Sequence, residues 1–269
     1  MSLAIVHGRA RVGVRAPEVR VEVHLAGGLP SMSIVGLPEA AVREAKDRVR
    51  AAIQCGQFEF PQRRITVNLA PADLPKDGGR FDLAIALGIL AASGQLPAEA
   101  LEGWEFLGEL ALTGEIRAVD GALGAAMAAG QAGRRLLVAP GNGAEAALAS
   151  EVQVHTARTL LEVCAALQAR KTLPRACPAD ARPVRPPDLA DVRGQALARR
   201  ALEIAAAGAH HLLFAGPPGS GKTLLASRLC GILPEPTDEE ALEAAAIASA
   251  SGRGLDLARW RQRPFRSPH

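Results

Sequence analysis

Residues 216–223 read Gly-Pro-Pro-Gly-Ser-Gly-Lys-Thr, which fits the spacing G-x-x-x-x-G-K-[ST] of a loop that cradles phosphate groups. The residue types match that chemistry. Gly216, Gly219 and Gly221 carry no Cβ, so the backbone can bend and turn successive amide N–H groups toward phosphate oxygens at a helix N-terminus. Pro217, Pro218 and Ser220 complete the turn. Lys222 supplies a compact cation for the β- and γ-phosphates, and the Thr223 hydroxyl is placed to ligate Mg²⁺. The expected ligand is ATP with Mg²⁺.

Such a loop works only between a strand and a helix. "HLLFA", residues 211–215, is a short apolar run suited to a buried parallel strand. Behind the loop, Leu224, Leu225, Leu229 and Ile232 recur at helical spacing. Upstream, "DLADVRGQALARRALEIAAAG" predicts a short loop followed by an amphipathic helix. Thr237 and Glu240 stand at capping-box spacing, so a further helix is predicted to start at Thr237. No apolar strand ending in Asp-Glu follows Thr223, and no arginine finger can be assigned, so no catalytic residue is named. The reading is nucleotide binding without the parts for efficient hydrolysis.

Residues 170–188 hold five prolines and no helical period, which predicts an extended linker over 170–187. It separates an N-terminal domain, 1–169, from a P-loop segment, 188–269. In the N-terminal domain the alternation of "VRVEVHLAG" predicts a strand, and "SMSIVG" and "RITVNLAP" predict two more. A surface helix is predicted to open at Pro38, where Ala45, Val49, Ala52 and Ile53 share one face. "FDLAIALGILAAS" predicts a buried helix, and "EFLGEL" with "LTGEIRAV" a hairpin. The remainder alternates helix and strand through "GALGAAMAAGQAG", "RRLLVAP", "GAEAALA", "EVQVHTA" and "TLLEVCAALQAR", which implies parallel pairing with right-handed crossovers. The predicted class is α/β throughout.

Composition narrows the classes further. The chain has 269 residues, 48% of them apolar, with no tyrosine, six Phe and two Trp, so its core must be built from Ala, Leu and Val. A formal net charge of +3 does not mark a concentrated nucleic-acid face. Cys55, Cys164, Cys177 and Cys230 lack any C-x-x-C pair, which speaks against a zinc site or disulfide scaffold. No apolar stretch is long enough for a signal peptide's hydrophobic region or a membrane span, so a reduced, cytoplasmic protein with no membrane partner is expected. His210 and His211 are expected at a strand edge, and Trp104 and Trp260 in the core.

"VNLAPADLPKDGGRFDLAIALGIL" followed by "LTGEIRAV" resembles the proteolytic domain of Lon-type proteases. On the alignment through Lys76-Asp77-Gly78, Arg80 occupies the position that family gives to its serine nucleophile. The family's lysine base is missing too, since no lysine lies between Lys76 and Lys171. A covalent mechanism would have no activated nucleophile. Locally, Gly78 and Gly79 predict a tight turn at a helix start with Asp77 as its cap; the alternative is an interaction loop using Lys76 and Arg80 toward a partner domain or a DNA backbone.

Together, the dyad-less Lon-like domain, "VRGQ", "GPPGSGKT", "EALEAAAIASASG" and "RPFRSPH" closely resemble the YifB/ComM family of magnesium chelatase-like AAA+ ATPases over essentially the whole chain. The AAA+ likeness implies that Val192, Gly194 and Gln195, with Asp188 ahead of them, line the adenine pocket. The family resemblance implies a hexameric ring that uses ATP to drive branch migration on branched or single-stranded DNA in recombination or natural transformation. It also implies an N-terminal fragment that ends before the Walker B strand. The alternatives are a magnesium chelatase-type subunit and a non-catalytic ATP-binding or assembly module.

Overall fold

The computed structural model describes residues 3–36, 44–179, 184–252 and 254–266. They divide into two units: residues up to Ala179 with Ala246–Leu255, and residues 184–245 with 256–266.

The first unit is α/β. A seven-stranded sheet runs in the order β3-β4-β2-β1-β5-β8-β9. Its strands are β1 (Leu3–Arg9), β2 (Glu18–Ala26), β3 (Ser31–Val35), β4 (Arg64–Ala70), β5 (Trp104–Phe106), β8 (Arg135–Val138) and β9 (Val154–Thr156). β1–β2 and β2–β4 pair antiparallel, whereas β3–β4, β1–β5, β5–β8 and β8–β9 pair parallel. β6 (Glu109–Leu110) and β7 (Ile116–Arg117) form the predicted hairpin as a separate antiparallel pair. Along β2 the alternate side chains Val19, Val21, Val23 and Leu25 are buried, the period of two that the sequence carried.

The helices of this unit are α1 (Ala45–Cys55), α2 (Asp82–Ala92), α3 (Ala122–Gln131), α4 (Pro140–Ala146) and α5 (Leu160–Leu167). All eleven residues of α2 are buried. It lies against β1 and β2 on one side and against α1 and β6 on others. An all-round apolar surface is what a helix needs in that position, each fully buried Leu or Ile contributing about 1.5–3 kcal/mol. α1 buries Ala45, Val49, Ala52 and Ile53 as its apolar stripe requires; its predicted opening at Pro38 lies outside the described residues.

The second unit contains α6 (Ala196–Ala207), α7 (Lys222–Ile232) and the start of α8 (Asp238–Ala250). The capping box forms as predicted: the Thr237 amide donates to Glu240 Oε2 at 3.0 Å, and the Glu240 amide donates to Thr237 Oγ1 at 3.2 Å.

Several expectations are corrected. Residues 211–215 form no strand, and Leu213 is 89% exposed. A parallel strand exists only through partners for its N–H and C=O groups, and no strand among the described residues of this unit offers them. His210 and His211 are consequently exposed rather than set at a strand edge. The first part of the proline-rich stretch is extended but not free. It lies beside β9, with the Thr156 amide donating to the Pro174 carbonyl at 3.1 Å and the Ala176 amide to Val154 at 2.9 Å. Leu3–Arg9, not among the predicted strands, is a central strand. Trp104 is in the core as expected, whereas Trp260 is half-buried on the wall of a cavity of about 490 Å³.

The packing of α2 allows a direct test. A Cβ on Gly88 would come within 2.6 Å of Val23 Cγ2, on a central strand with no room to yield. Gly88→Ala is expected to destabilise the protein by about 1–3 kcal/mol despite the better helix propensity of alanine, seen as a lower urea midpoint at unchanged slope.

Candidate functional site

The P-loop positions are held by α7 and by the two left-handed glycines ahead of it. Gly219 and Gly221 have φ of 79° and 82°, a region that a residue with a Cβ enters at a cost of about 1–2 kcal/mol. Gly221 is the N-cap of α7, so the first free amides of the helix follow directly at Lys222 and Thr223. The Lys222 ammonium lies inside the loop, donating to the Gly216 carbonyl at 3.0 Å, the Pro217 carbonyl at 2.8 Å and Ser220 Oγ at 3.3 Å. Pro218 and Thr223 are exposed.

The upstream segment approaches this loop through one side chain. Gln195 Nε2 donates to the Ser220 carbonyl at 3.1 Å. To aim there, Gln195 sits at the N-cap of α6 with φ 50° and ψ 41°, a left-handed conformation uncommon outside glycine. Gly194, beside it, has φ 68° and is exposed. Val192 is buried with Leu189, Leu202 and Leu225, so it joins α6 to α7 through a small core. Asp188 accepts from the Ala190 amide at 2.9 Å and caps a short 3₁₀ turn over Leu189–Asp191. Gly231 lets the Pro187 carbonyl pass close to α7, where any Cβ would collide with it.

Sequence reading missed Arg228. Its Nη2 donates to Asp191 at 3.2 Å and ties α7 to the upstream segment. The two lie 37 residues apart, so no helical spacing announces the pair.

In the first unit the segment from Lys76 to Asp82 is a charged string folded inward. Lys76 has no exposed surface, and its ammonium donates to the Pro71 carbonyl at 2.5 Å and to that of Leu74 at 2.9 Å. Burial holds its pKa below the ordinary lysine value. Arg80 is 4% exposed and donates to the Asp120 carbonyl at 2.8 Å. Neither residue reaches a surface, which overturns the interaction-loop alternative. Asp77 is not a cap either: α2 has Phe81 at its N-cap with no side-chain bond, and Asp77 Oδ2 accepts from Arg11 Nη2 at 2.8 Å. Gly78 makes the turn, at φ 64°.

Asp82 completes the string. Its carboxylate, 1% exposed, takes Arg48 Nε at 2.7 Å, Arg48 Nη2 at 3.2 Å and the Leu110 amide at 3.3 Å. Burial pushes its pKa up to about 6, against the opposing pull of Arg48 and the Leu110 amide. A second buried pair, Arg9 to Glu105, is bidentate at 2.6 Å for both bonds, and Arg134 also reaches Glu105 at 3.1 Å. Among the described residues no group of three or more His, Cys, Asp or Glu is placed to hold a metal ion, and no helix is long and apolar enough to cross a membrane.

A glycine-bent loop that opens a helix and carries Gly-Lys-Thr at its start has the form of a P-loop. Two family models match the chain: subunit ChlI of Mg-chelatase over residues 21–142, and magnesium chelatase, subunit ChlI, over residues 188–269. The chain is 55% identical over 270 residues to the uncharacterized protein YifB of Salmonella typhimurium, covering 100% of this chain and 53% of that protein. It is 54% identical over 275 residues to the competence protein ComM of Haemophilus influenzae, covering 100% and 54%. An uncharacterized protein of Mycobacterium tuberculosis is 44% identical over 261 residues, covering 96% and 52%. The chain belongs to the YifB/ComM family of magnesium chelatase-like proteins and spans about half the length of the curated relatives it matches.

The raised pKa of Asp82 has a definite sign. A folded-state value above the unfolded one near 3.8 means the native state binds the proton more tightly, so this contribution is fully present below pH 3.8 and lost as pH rises through about 6. The loss amounts to about 3 kcal/mol. Urea unfolding of wild type and Asp82→Asn at a series of pH values checks it: the stability of wild type relative to the variant is expected to fall between pH 4 and 7, and a constant difference contradicts it.

Proposed function

We propose that the chain is the N-terminal, nucleotide-binding part of a ring-forming AAA+ motor that works on DNA. The domain layout that accompanies this reading is a non-proteolytic Lon-like domain over 1–169, a linker over 170–187 and the opening of the ATPase domain over 188–269. The observation that carries it is the loop itself, with Gly219 and Gly221 in conformations that favour glycine and Lys222 placed at the first turn of α7.

The residues present fit the group. Nothing lies within 4 Å of where a Cβ on Gly219 would stand, so the outer face of the loop is open to a phosphate. Lys222 would exchange carbonyl oxygens for β- and γ-phosphate oxygens, and amides at the start of α7 would take the rest. The Thr223 hydroxyl would hold Mg²⁺, which neutralises developing charge on the phosphates when bound. Val192, Gly194 and Gln195 would face the adenine, with Gln195 steadying the loop through Ser220.

Hydrolysis, in this reading, needs acidic and arginine residues from outside the chain and a neighbouring subunit in a hexamer, in the cytoplasm. The substrate side of the reading rests on the Haemophilus relative, whose name assigns it to competence. Branched or single-stranded DNA is the expected partner, with branch migration during recombination or natural transformation as the work done. Arg80 at the position that the Lon resemblance gives to serine supports the absence of proteolysis, since a guanidinium cannot attack a carbonyl.

A second reading, a magnesium chelatase-type subunit, is favoured by the descriptions of both matching families. ATPase assays on the full-length protein with and without branched DNA separate the two: stimulation by DNA supports the DNA motor, and its absence with intact basal turnover turns the assignment to the chelatase type. Lys222→Ala is expected to weaken ATP binding roughly 10- to 100-fold, the worth of one or two charge-assisted hydrogen bonds, and to abolish ATP-driven strand movement. Normal DNA-stimulated turnover by that variant would contradict the assignment.

A further inference from the structure

A pocket of about 190 Å³ lies in the first unit, between β3, the first turns of α1 and residues 60–63. Three cations, Lys46, Arg50 and Arg63, line it against one carboxylate, Asp47, with Ser31 and Gln62 as further polar groups. Among the described residues none of the three cations is ion-paired to a carboxylate.

Stability does not account for this arrangement. Lys46 and Arg50 are four residues apart on α1, a like-charge spacing that costs about 0.2–0.5 kcal/mol. Lys46 also stands in the first turn, where the helix dipole disfavours a cation. Arg50 is held in place by a cation–π contact: its guanidinium carbon lies 5.1 Å from the ring centroid of Phe60, a residue that is 9% exposed. Among the described residues Arg50 makes no hydrogen bond or ion pair, so its N–H fork is available to bind a phosphate with two parallel hydrogen bonds.

We propose that this pocket is a phosphate-group site, separate from the P-loop and independent of the function assigned to it. Arg50 provides the bidentate contact, Lys46 and Arg63 provide charge, and Gln62 and Ser31 hydrogen-bond the remaining oxygens. The phosphate comes either from a free phosphoanion or from the phosphodiester of a nucleic-acid strand, since both present the same pair of anionic oxygens.

The test uses the ¹⁵N-labelled full chain carrying Lys222→Ala, which weakens phosphate binding at the P-loop, and follows amide shifts residue by residue on titration with inorganic phosphate. Saturable shifts at Lys46, Arg50, Gln62 and Arg63 are expected, weakened at least about tenfold when Lys46→Gln and Arg50→Gln are added and only partly by Arg50→Lys, which keeps charge but loses the fork. These side chains are exposed or half-buried, so an unchanged melting temperature is expected to accompany the loss. A single-stranded oligothymidylate then distinguishes the sources. Competition for the same amides, with a log–log salt slope reduced by about 1.4 on removing two cations, identifies a phosphodiester; no effect on those amides identifies a free phosphoanion. Failure of inorganic phosphate to move them, or equal shifts in the charge-removed variant, overturns the site and leaves the P-loop reading untouched.

Discussion

The first unit depends on burying charge at the start of a helix that has no solvent-facing side. α2 can be apolar all round only if the sheet, α1 and β6 enclose it, and its entry must then carry the polar groups of Lys76–Asp82 inward. A lone carboxylate there would be costly; Asp82 is tolerable because Arg48 and the Leu110 amide surround it. The contacts therefore connect α2 to α1 and to β6 through one side chain. Gly88 lets the same helix settle on β2, so the helix is fixed at its start by charge and at its middle by a missing Cβ.

Much of this was legible because local periodicity and tertiary burial agree. The alternation in β2, the continuous apolar run of α2 and the stripe on α1 each state which face meets the core. Where both faces of a strand are apolar the signal weakens: in β1, Leu3 and Ile5 are exposed while Ala4 and Val6 are buried, and only His7 marks the outer face. Residues 211–215 fail in the opposite direction. Their apolarity correctly suggests a buried strand, but hydrophobicity cannot supply the neighbouring backbone that makes a strand a strand.

Charged residues were the least legible, because their roles depend on partners remote in the chain. Arg80 bonds a carbonyl 40 residues away, and Asp77 meets Arg11 across 66. A guanidinium at the position that the Lon resemblance assigns to a nucleophile is here a structural anchor. Its donors tie the entry of α2 to the Asp120 carbonyl, and nothing about it is poised to react. Lys76 follows the same logic. A buried lysine with a lowered pKa is often a candidate base, but this ammonium is spent on the carbonyls of Pro71 and Leu74 and has no nucleophile to serve.

The P-loop shows the converse, a lysine whose bonds are exchangeable. The oxygen partners of Lys222 all belong to the exposed or half-buried loop it closes, so replacing them by phosphate oxygens costs little reorganisation of any core. Binding energy for a phosphate group here would come less from the ammonium, which would trade one set of oxygens for another, than from the amides opening α7, which start without intrahelical partners. That division assigns separate tasks to the two neighbours of the loop. Gly219 and Gly221 set the path that presents the amides, and Gln195, held left-handed at the start of α6, fixes that path from outside by holding the Ser220 carbonyl. A left-handed residue with a hydrogen bond to the loop thus connects the path of the loop to the start of α6.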